Sequence, residues 1–274
     1  MTNEVANISP KELVDAHAHV FLAGMPLRDN PRHAPTYDFT VEDYLKILDD
    51  HGVGLAVLAA ASPWADYNDY LIDSVRKNQD RLRGTVILEP TVERYVLEQM
   101  NKDGIVGVRM HLIGLDKLPD ITTFAYRRTF RRIADQGWHI HIHTEGKNLP
   151  DLMPLFEKTG AKLVIDHLGR PDPAEGINSE GFKTMVRSLE TGNTWVKASG
   201  HHRLGAKASD YLKELIRLGF VDRLLWASDC PFVGDEGTPY KSTIDWFLEI
   251  VPDPDHRKKI MGLNALELYF SSVT

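Results

Sequence analysis

The sequence predicts an α/β fold, a single-domain (β/α)8 barrel of the TIM type that spans residues 1–274. Three observations support this prediction: eight short apolar runs, a stretch with helical spacing after each run, and no linker or shift in composition along the chain. An eightfold alternation of strands and helices in about 250 residues is typical of this barrel. A doubly wound parallel sheet is the alternative that the same alternation leaves open.

The predicted strands are runs rich in Val, Ile, Leu and Ala, as in parallel strands that are buried on both faces. They lie at 13–20, 54–61, 84–89, 104–113, 138–144, 162–168, 194–199 and 224–232. In the first run, regular alternation places the odd-numbered residues, which include His17 and His19, on one face. The even-numbered residues of that run are all Val or Ala, and we expect them to pack under the helices.

The predicted helices fill the stretches between these runs. Thr40-Val-Glu-Asp43 has a capping-box pattern, which predicts a helix from there to about Asp50. Further helices are predicted at 67–77, 93–102, 124–136, 149–159, 181–191 and 209–218, and helices across 240–270 close the chain. Tyr269 and Phe270 could cover either the barrel bottom or a subunit interface, so a homo-oligomer stays open.

Composition excludes several classes of function. The formal net charge is −7 with no basic block, which argues against nucleic acid and anionic membranes as main partners. No apolar run approaches the roughly 20 residues that span a bilayer, and the N-terminus lacks a secretory pattern. Cys230 is the single cysteine, which fits a reducing cytoplasm and a small buried thiol. We therefore expect a cytoplasmic protein.

Polar residues collect at the ends of the predicted strands, where active sites of such barrels form. They are His17, His19, Arg109, His141, His143, His167, Arg203 and Asp229. Each alone has an ordinary structural explanation. The His-x-His pair could be hydrogen-bonded strand histidines, His141 could pack in the interior, and Asp229 could cap a helix. The convergence of several strand ends on one barrel mouth is what predicts a site.

These residues lie in motifs that resemble the amidohydrolase superfamily. The motifs are HAH, IHTE, DHLGRP and ASDCPF, and the resemblance covers nearly the whole chain. It is closest to the amidohydrolase 2 branch, which contains 2-pyrone-4,6-dicarboxylate lactonase and related sugar and muconolactone hydrolases. The sequence departs from this branch at two places. The stretch HLIGLDKL lacks the second arginine of the pyrone-dicarboxylate enzymes, which weakens the case for a dicarboxylate substrate. Asp229 is followed by Cys230-Pro231-Phe232, whereas an aromatic residue, Pro and His are usual there.

The resemblance implies a role for each site residue. Asp229 is the general base that activates water, and His17, His19 and His167 hold or polarise the lactone carbonyl oxygen. Arg109 and Arg203 correspond to positions that clamp a substrate carboxylate, a task that suits a planar guanidinium. The remaining substrate-binding candidates are His141, His143, Ser62 and Asn68.

The same resemblance implies a metal site that catalysis could use or do without. One divalent ion, Zn²⁺ or Mn²⁺, would take its ligands from His17, His19, His143, His167 and Asp229. No lysine ends strand 4 to bridge two metals, so a binuclear site is not expected. Metal-free catalysis stays open at this point.

The sequence is compatible with three functions. The first is hydrolysis of a small carboxylated lactone, such as a pyrone, a muconolactone or a sugar-acid lactone, which makes the protein a carboxylic ester hydrolase with an anionic small-molecule substrate. The second is metal-dependent, non-oxidative decarboxylation of an aromatic or unsaturated carboxylic acid. The third is a catalytically silent barrel that binds a ligand. The combined His and Asp set favours the first.

Overall fold

Eight parallel strands form one sheet in sequential order in the computed structural model, which describes Ser9, residues 12–115 and residues 117–271. The strands are β1 Val14–Ala18, β2 Leu55–Ala59, β3 Leu82–Val86, β4 Ile105–His111, β5 His139–His143, β6 Lys162–Ile165, β7 Thr194–Ala198 and β8 Leu224–Trp226. The sheet closes where the chain beyond β1 and β8 meets: the His19 N–H donates to the Cys230 carbonyl at 2.8 Å, and the Asp229 N–H donates to the His17 carbonyl at 2.9 Å. The predicted (β/α)8 barrel is confirmed, and the doubly wound alternative is wrong.

The helices surround this barrel. They are α1 Val41–Asp50, α2 Asp69–Lys77, α3 Arg94–Lys102, α4 Phe124–Asp135, α5 Leu149–Glu157, α6 Glu180–Glu190, α7 His201–Leu204, α8 Lys207–Arg217, α9 Tyr240–Ile250 and α10 Pro254–Lys258. The capping box of α1 is present, because the side chains of Thr40 and Asp43 each accept the other's backbone N–H. The sequence did not predict α7, since four residues are too few to show helical periodicity. Among the described residues, no helix is long and apolar enough to cross a membrane.

The lower half of the barrel is filled by apolar side chains. One buried cluster joins Val14, Ala16, Val57, Val106, Val164, Trp195, Leu225 and Ala227 from the strand region to Ala265, Leu268 and Tyr269. The last three lie in or beside two π-helical segments, Lys259–Leu263 and Leu266–Phe270. Tyr269 is fully buried there, so it covers the barrel bottom. The polar end of the barrel is consequently the opposite one.

The prediction of regular alternation along β1 is wrong. The register of β1 against β2 shifts between Asp15 and Ala18, so the strand carries a bulge or similar irregularity. Val14 and Ala16 face the barrel interior, whereas Asp15 faces the helices and accepts hydrogen bonds from the hydroxyls of Tyr44 and Tyr240. The extra residue in β1 changes the direction in which the following side chains point. As a result, His17 and His19 both reach the carboxyl end of the barrel interior.

Candidate active site

Most of the predicted site residues meet in one cleft at the carboxyl end of the barrel. The predicted residues that line this cleft are His19, Ser62, Arg109, His143, His167, Arg203 and Asp229. His17 lies directly beneath it and is fully buried. This is the barrel face at which the loops after the strands can build a site on a rigid scaffold.

Three imidazoles face one oxygen of Asp229. Its Oδ1 lies 3.6 Å from Nε2 of His17, 3.5 Å from Nε2 of His19 and 3.7 Å from Nε2 of His167. These distances exceed a direct hydrogen bond, so the four groups surround a small space rather than fill it. The arrangement leaves room for one reacting atom among three imidazole nitrogens and a carboxylate.

The second oxygen of Asp229 is held by cationic and imidazole partners. Nε of Arg203 donates to Oδ2 at 2.7 Å, and Nε2 of His202 lies 3.4 Å from it. Burial raises the pKa of Asp229, but His167, the nearby rings of His19 and His202, and the charge of Arg203 outweigh burial, so the pKa lies well below its usual range. Asp229 is therefore a carboxylate at neutral pH.

The backbone turns that present these side chains adopt uncommon conformations. Asp229 has φ +70° and His167 has φ +51°, in the left-handed region that non-glycine residues seldom occupy. Gly200, with φ +75°, packs so closely that a Cβ there would lie 3.0 Å from the Cβ of His167. Such strained positions persist where the surrounding structure holds them, as it does at many functional sites. Here they aim the two side chains at the centre of the cleft.

A buried charge network lies beneath the cleft. Oδ2 of Asp166 accepts from Nε of Arg109 at 3.0 Å, and Oδ1 of Asp166 lies 3.2 Å from Nζ of Lys197. Burial raises the pKa of Asp166, but Lys197, His17 and Arg109 lower it well below its usual range. For Lys197, burial outweighs Asp166 and lowers the pKa to about 8. The network is thus a carboxylate shared by two cations.

Two predicted substrate-binding residues lie away from the cleft. His141 is fully buried below it, with its Nδ1 3.1 Å from Nζ of Lys197. Asn68 donates to the carbonyls of Asp66 and Ile87 and accepts the N–H of Ile87, so its side chain ties the loops after β2 and β3 together. Each side chain already serves the protein's own structure.

Sequence reasoning missed several residues of this region. They are Asp166 and Lys197 below the cleft, and Arg32, His33 and Arg170 along its lining. Lys197 carried a usable signal, because a lysine inside an apolar buried strand needs a partner. Arg32 and His33 lie in the long loop between β1 and α1, where no periodic pattern marks them.

Three arginines make the mouth of the cleft strongly cationic. Arg32, Arg170 and Arg203 line it, and Asp229 is the one acidic residue among the described lining residues. Burial, followed by the charges of Arg32 and Arg203, lowers the pKa of Arg170. Among the described residues, the buried Nε of Arg170 has no hydrogen-bond partner. An anion bound here would satisfy that donor and relieve the mutual repulsion.

The histidines and Asp229 at the base of the cleft are residue types that bind divalent cations. The hydrogen bonds of the histidine rings leave a free lone pair for a metal on only part of this set. Ligand atoms of His17, His19 and Asp229 lie within 4.8 Å of one another. His19 suits a metal, since its Nδ1 lies 2.7 Å from the Ala59 carbonyl and donates to it, which leaves a lone pair on Nε2. His17 and His143 do not, because their Nδ1 atoms face Lys197 at 2.8 Å and Arg109 at 3.0 Å, groups that only donate. A neutral ring with an accepting Nδ1 carries its proton on Nε2, so this nitrogen has no lone pair with which to bind a metal.

Comparisons with known proteins agree with this architecture. Residues 14–270 match the amidohydrolase family profile. The chain is 28% identical over 283 residues to a 2-pyrone-4,6-dicarboxylate hydrolase of Comamonas testosteroni, covering 95% of this chain and 91% of that one. It is 27% identical over 276 residues to a 4-sulfomuconolactone hydrolase of Rhizobium radiobacter, covering 95% and 90%.

A solved structure extends the similarity to three dimensions. A probable 2-pyrone-4,6-dicarboxylic acid hydrolase from Acinetobacter baumannii, with citric acid bound, superposes with a TM-score of 0.90 at 31% sequence identity. The superposition covers 94% of this chain and 99% of that structure. With a barrel of the same shape and a family match over nearly its whole length, this chain belongs to the amidohydrolase family.

Proposed function

We propose that this protein hydrolyses a small carboxylated lactone. The observation that carries the proposal is the space bounded by the Asp229 carboxylate and three imidazole Nε2 atoms at 3.5 to 3.7 Å, at the base of an arginine-lined cleft. Opening a lactone requires a base for water and donors for the oxyanion that forms on attack. The names of the two curated relatives, both hydrolases of carboxylated or sulfonated ring esters, support the same chemistry.

The base is Asp229, which takes one proton from the attacking water as the new C–O bond forms. His19 accepts the second hydrogen of that water through the free lone pair on Nε2. The carbonyl oxygen becomes an oxyanion, and the Nε2–H of His17 donates to it. When the ring C–O bond breaks, Asp229 returns its proton to the departing oxygen, so lactone and water become a hydroxy acid.

The substrate carboxylate binds among the arginines at the mouth. Arg170 is the best anchor, because its buried Nε has no partner among the described residues, whereas Arg203 already donates to Asp229. A divalent ion, Zn²⁺ or Mn²⁺, would supply Lewis acidity at the carbonyl if His19 and Asp229 held it.

Replacing Arg170 with Met is expected to raise KM for a carboxylated lactone about 10- to 100-fold, since a hydrogen bond to a charged group contributes about 1.5–3 kcal/mol. The kcat should stay within a few-fold, and KM for a neutral lactone should hardly change. Steady-state kinetics on a matched pair of substrates tests this. Arg217→Met, at an exposed arginine paired with Glu214, is the control and should leave both constants unchanged.

The pH profile of kcat/KM should show no loss of activity between about pH 7 and pH 5. The pKa of Asp229 is depressed, so the carboxylate stays ionised as the pH falls, and activity declines only below the ordinary carboxyl value of 3.8. Burial also lowers the pKa of His167 to about 3, which keeps that ring neutral over the same range. A profile that fell through pH 6 would contradict this set of an ionised Asp229 and neutral imidazoles.

A pH-indicator screen of a lactone panel tests the function itself. The protein's metal content is measured first, and each lactone is assayed with and without added Zn²⁺. Release of acid from at least one carboxylated lactone is the expected result. Turnover of a carboxylic acid with loss of CO2 would favour the decarboxylase, and a raised melting temperature without any turnover would favour a silent binding barrel.

A further inference from the structure

Lys197 occupies an unusual position for a charged residue. It projects from β7 into the barrel interior and is fully buried. Its Nζ lies 2.8 Å from Nδ1 of His17, 3.1 Å from Nδ1 of His141 and 3.2 Å from Oδ1 of Asp166. Burying an ammonium is costly unless it is paired, and here two imidazole nitrogens accept its N–H groups while the Asp166 carboxylate beside it supplies the opposite charge.

The contact with His17 determines where that ring carries its proton. Nζ of Lys197 lies 2.8 Å from Nδ1 of His17, and an Nδ1 that accepts from it leaves the neutral ring with one N–H. A protonated lysine donates and cannot accept, so Nδ1 must be the acceptor. The proton is then on Nε2, the atom that faces Asp229 in the cleft.

A competing partner stands beside Lys197. Oδ1 of Asp166 lies 3.6 Å from the same Nδ1 of His17, farther than Nζ of Lys197. Without the ammonium, this carboxylate would accept an Nδ1–H from His17, and the lone pair would move to Nε2. A carboxylate behind a histidine in this way is the usual support for a metal-binding imidazole. Lys197 and Asp166 thus favour opposite tautomers of one ring.

We propose that Lys197 is a positioning residue that fixes His17 with its proton on Nε2, making it a donor to the substrate carbonyl instead of a ligand for a divalent cation. The carbonyl contact rests on the lactonase function proposed above, whereas the tautomer and the weak metal affinity follow from the contacts alone. Arg109 holds His143 in the same way, with Nη2 donating to Nδ1 at 3.0 Å. The lysine therefore sets which of two chemistries the His cluster performs.

The tautomer is read by NMR on protein with ¹⁵N-labelled histidine at pH 7, with the His17 signals assigned by their absence in His17→Gln. In the wild-type protein the proton should be on Nε2, and in Lys197→Met it should be on Nδ1. Lys162→Met is the matched control, because Lys162 starts β6 near His139 and should leave His17 unchanged. A wild-type His17 with its proton on Nδ1 overturns the proposal, whether or not any variant folds.

Zinc affinity and kinetics supply independent measurements. Chelator competition at pH 7 should show that Lys197→Met binds Zn²⁺ at least about 10-fold more tightly than the wild type or Lys162→Met. For an active lactone, Lys197→Met should lose at least about 10-fold in kcat with KM nearly unchanged, as loss of an oxyanion donor requires. Unchanged zinc affinity in a folded Lys197→Met variant contradicts the proposal. The NMR and zinc measurements need no substrate, so they can fail while the lactonase assignment stands.

Discussion

Asp229→Asn is expected to lower kcat for lactone hydrolysis by at least about 10²-fold while the protein stays folded. An amide cannot take the proton of the attacking water, but it keeps nearly the same volume and one oxygen that can accept from Arg203. The surrounding imidazoles and arginines remain, so KM should change far less than kcat. Steady-state kinetics on the best lactone from the screen gives both constants.

The matched control for this variant is Asp245→Asn, which removes an exposed carboxylate paired with Lys241 on α9. It should retain wild-type kcat, because surface ion pairs contribute little to stability and this one is on the outer helix layer. Circular dichroism and the melting temperature establish that both variants fold. Near wild-type turnover by Asp229→Asn would remove Asp229 from the mechanism.

The largest effect on stability is expected at Asp15. Its fully buried carboxylate accepts five hydrogen bonds: from the N–H groups of Ser228 and His17 at 2.8 and 3.2 Å, and from the hydroxyls of Ser228, Tyr44 and Tyr240 at 2.5, 2.8 and 3.0 Å. Asp15→Ala leaves these buried donors without an acceptor and opens a cavity. We expect a loss of about 3–5 kcal/mol in the free energy of unfolding, the size found when a buried polar network is broken.

Urea denaturation followed by fluorescence or circular dichroism measures this loss. Tyr240→Phe is the graded comparison, because it deletes one of the five donors and should cost about 1 kcal/mol. Within the described part of the chain, the hydrogen bonds of Asp15 reach the proposed substrate-binding residues only through the His17 backbone. A change below about 1 kcal/mol for Asp15→Ala would show that the network contributes little.

The sequence was sufficient for the fold and for predicting which side chains meet at one end of the barrel. Apolar runs separated by capped helical stretches predicted the barrel, because each pattern reflects which face of an element is buried. His17, His19, His167 and Asp229 were identifiable because strand ends of a barrel converge, and the structure places them around one space.

Features that depend on interactions between distant strands escaped prediction. The irregularity in β1 arises from its pairing with β2 and from the contacts of Asp15 with α1 and α9, none of which is local in sequence. Lys197 and Asp166 belong to adjacent strands, and only their side-chain distances reveal the shared network. Asn68 resembled a substrate contact, yet its amide is used by loop carbonyls whose positions the sequence does not specify.

The seam that closes the barrel has a kinetic consequence. Where the barrel closes, the Ser228 side chain contacts the His17 carbonyl, 211 residues away in sequence. The two backbone hydrogen bonds of this seam involve His17, His19, Asp229 and Cys230, and three of these residues belong to the site. Contacts of such long sequence separation are slow to form. A chain with seven strands assembled and the last undocked holds the histidines without their carboxylate. Recovery of activity during refolding should therefore report the docking of the final strand, and lag behind the recovery of helical signal.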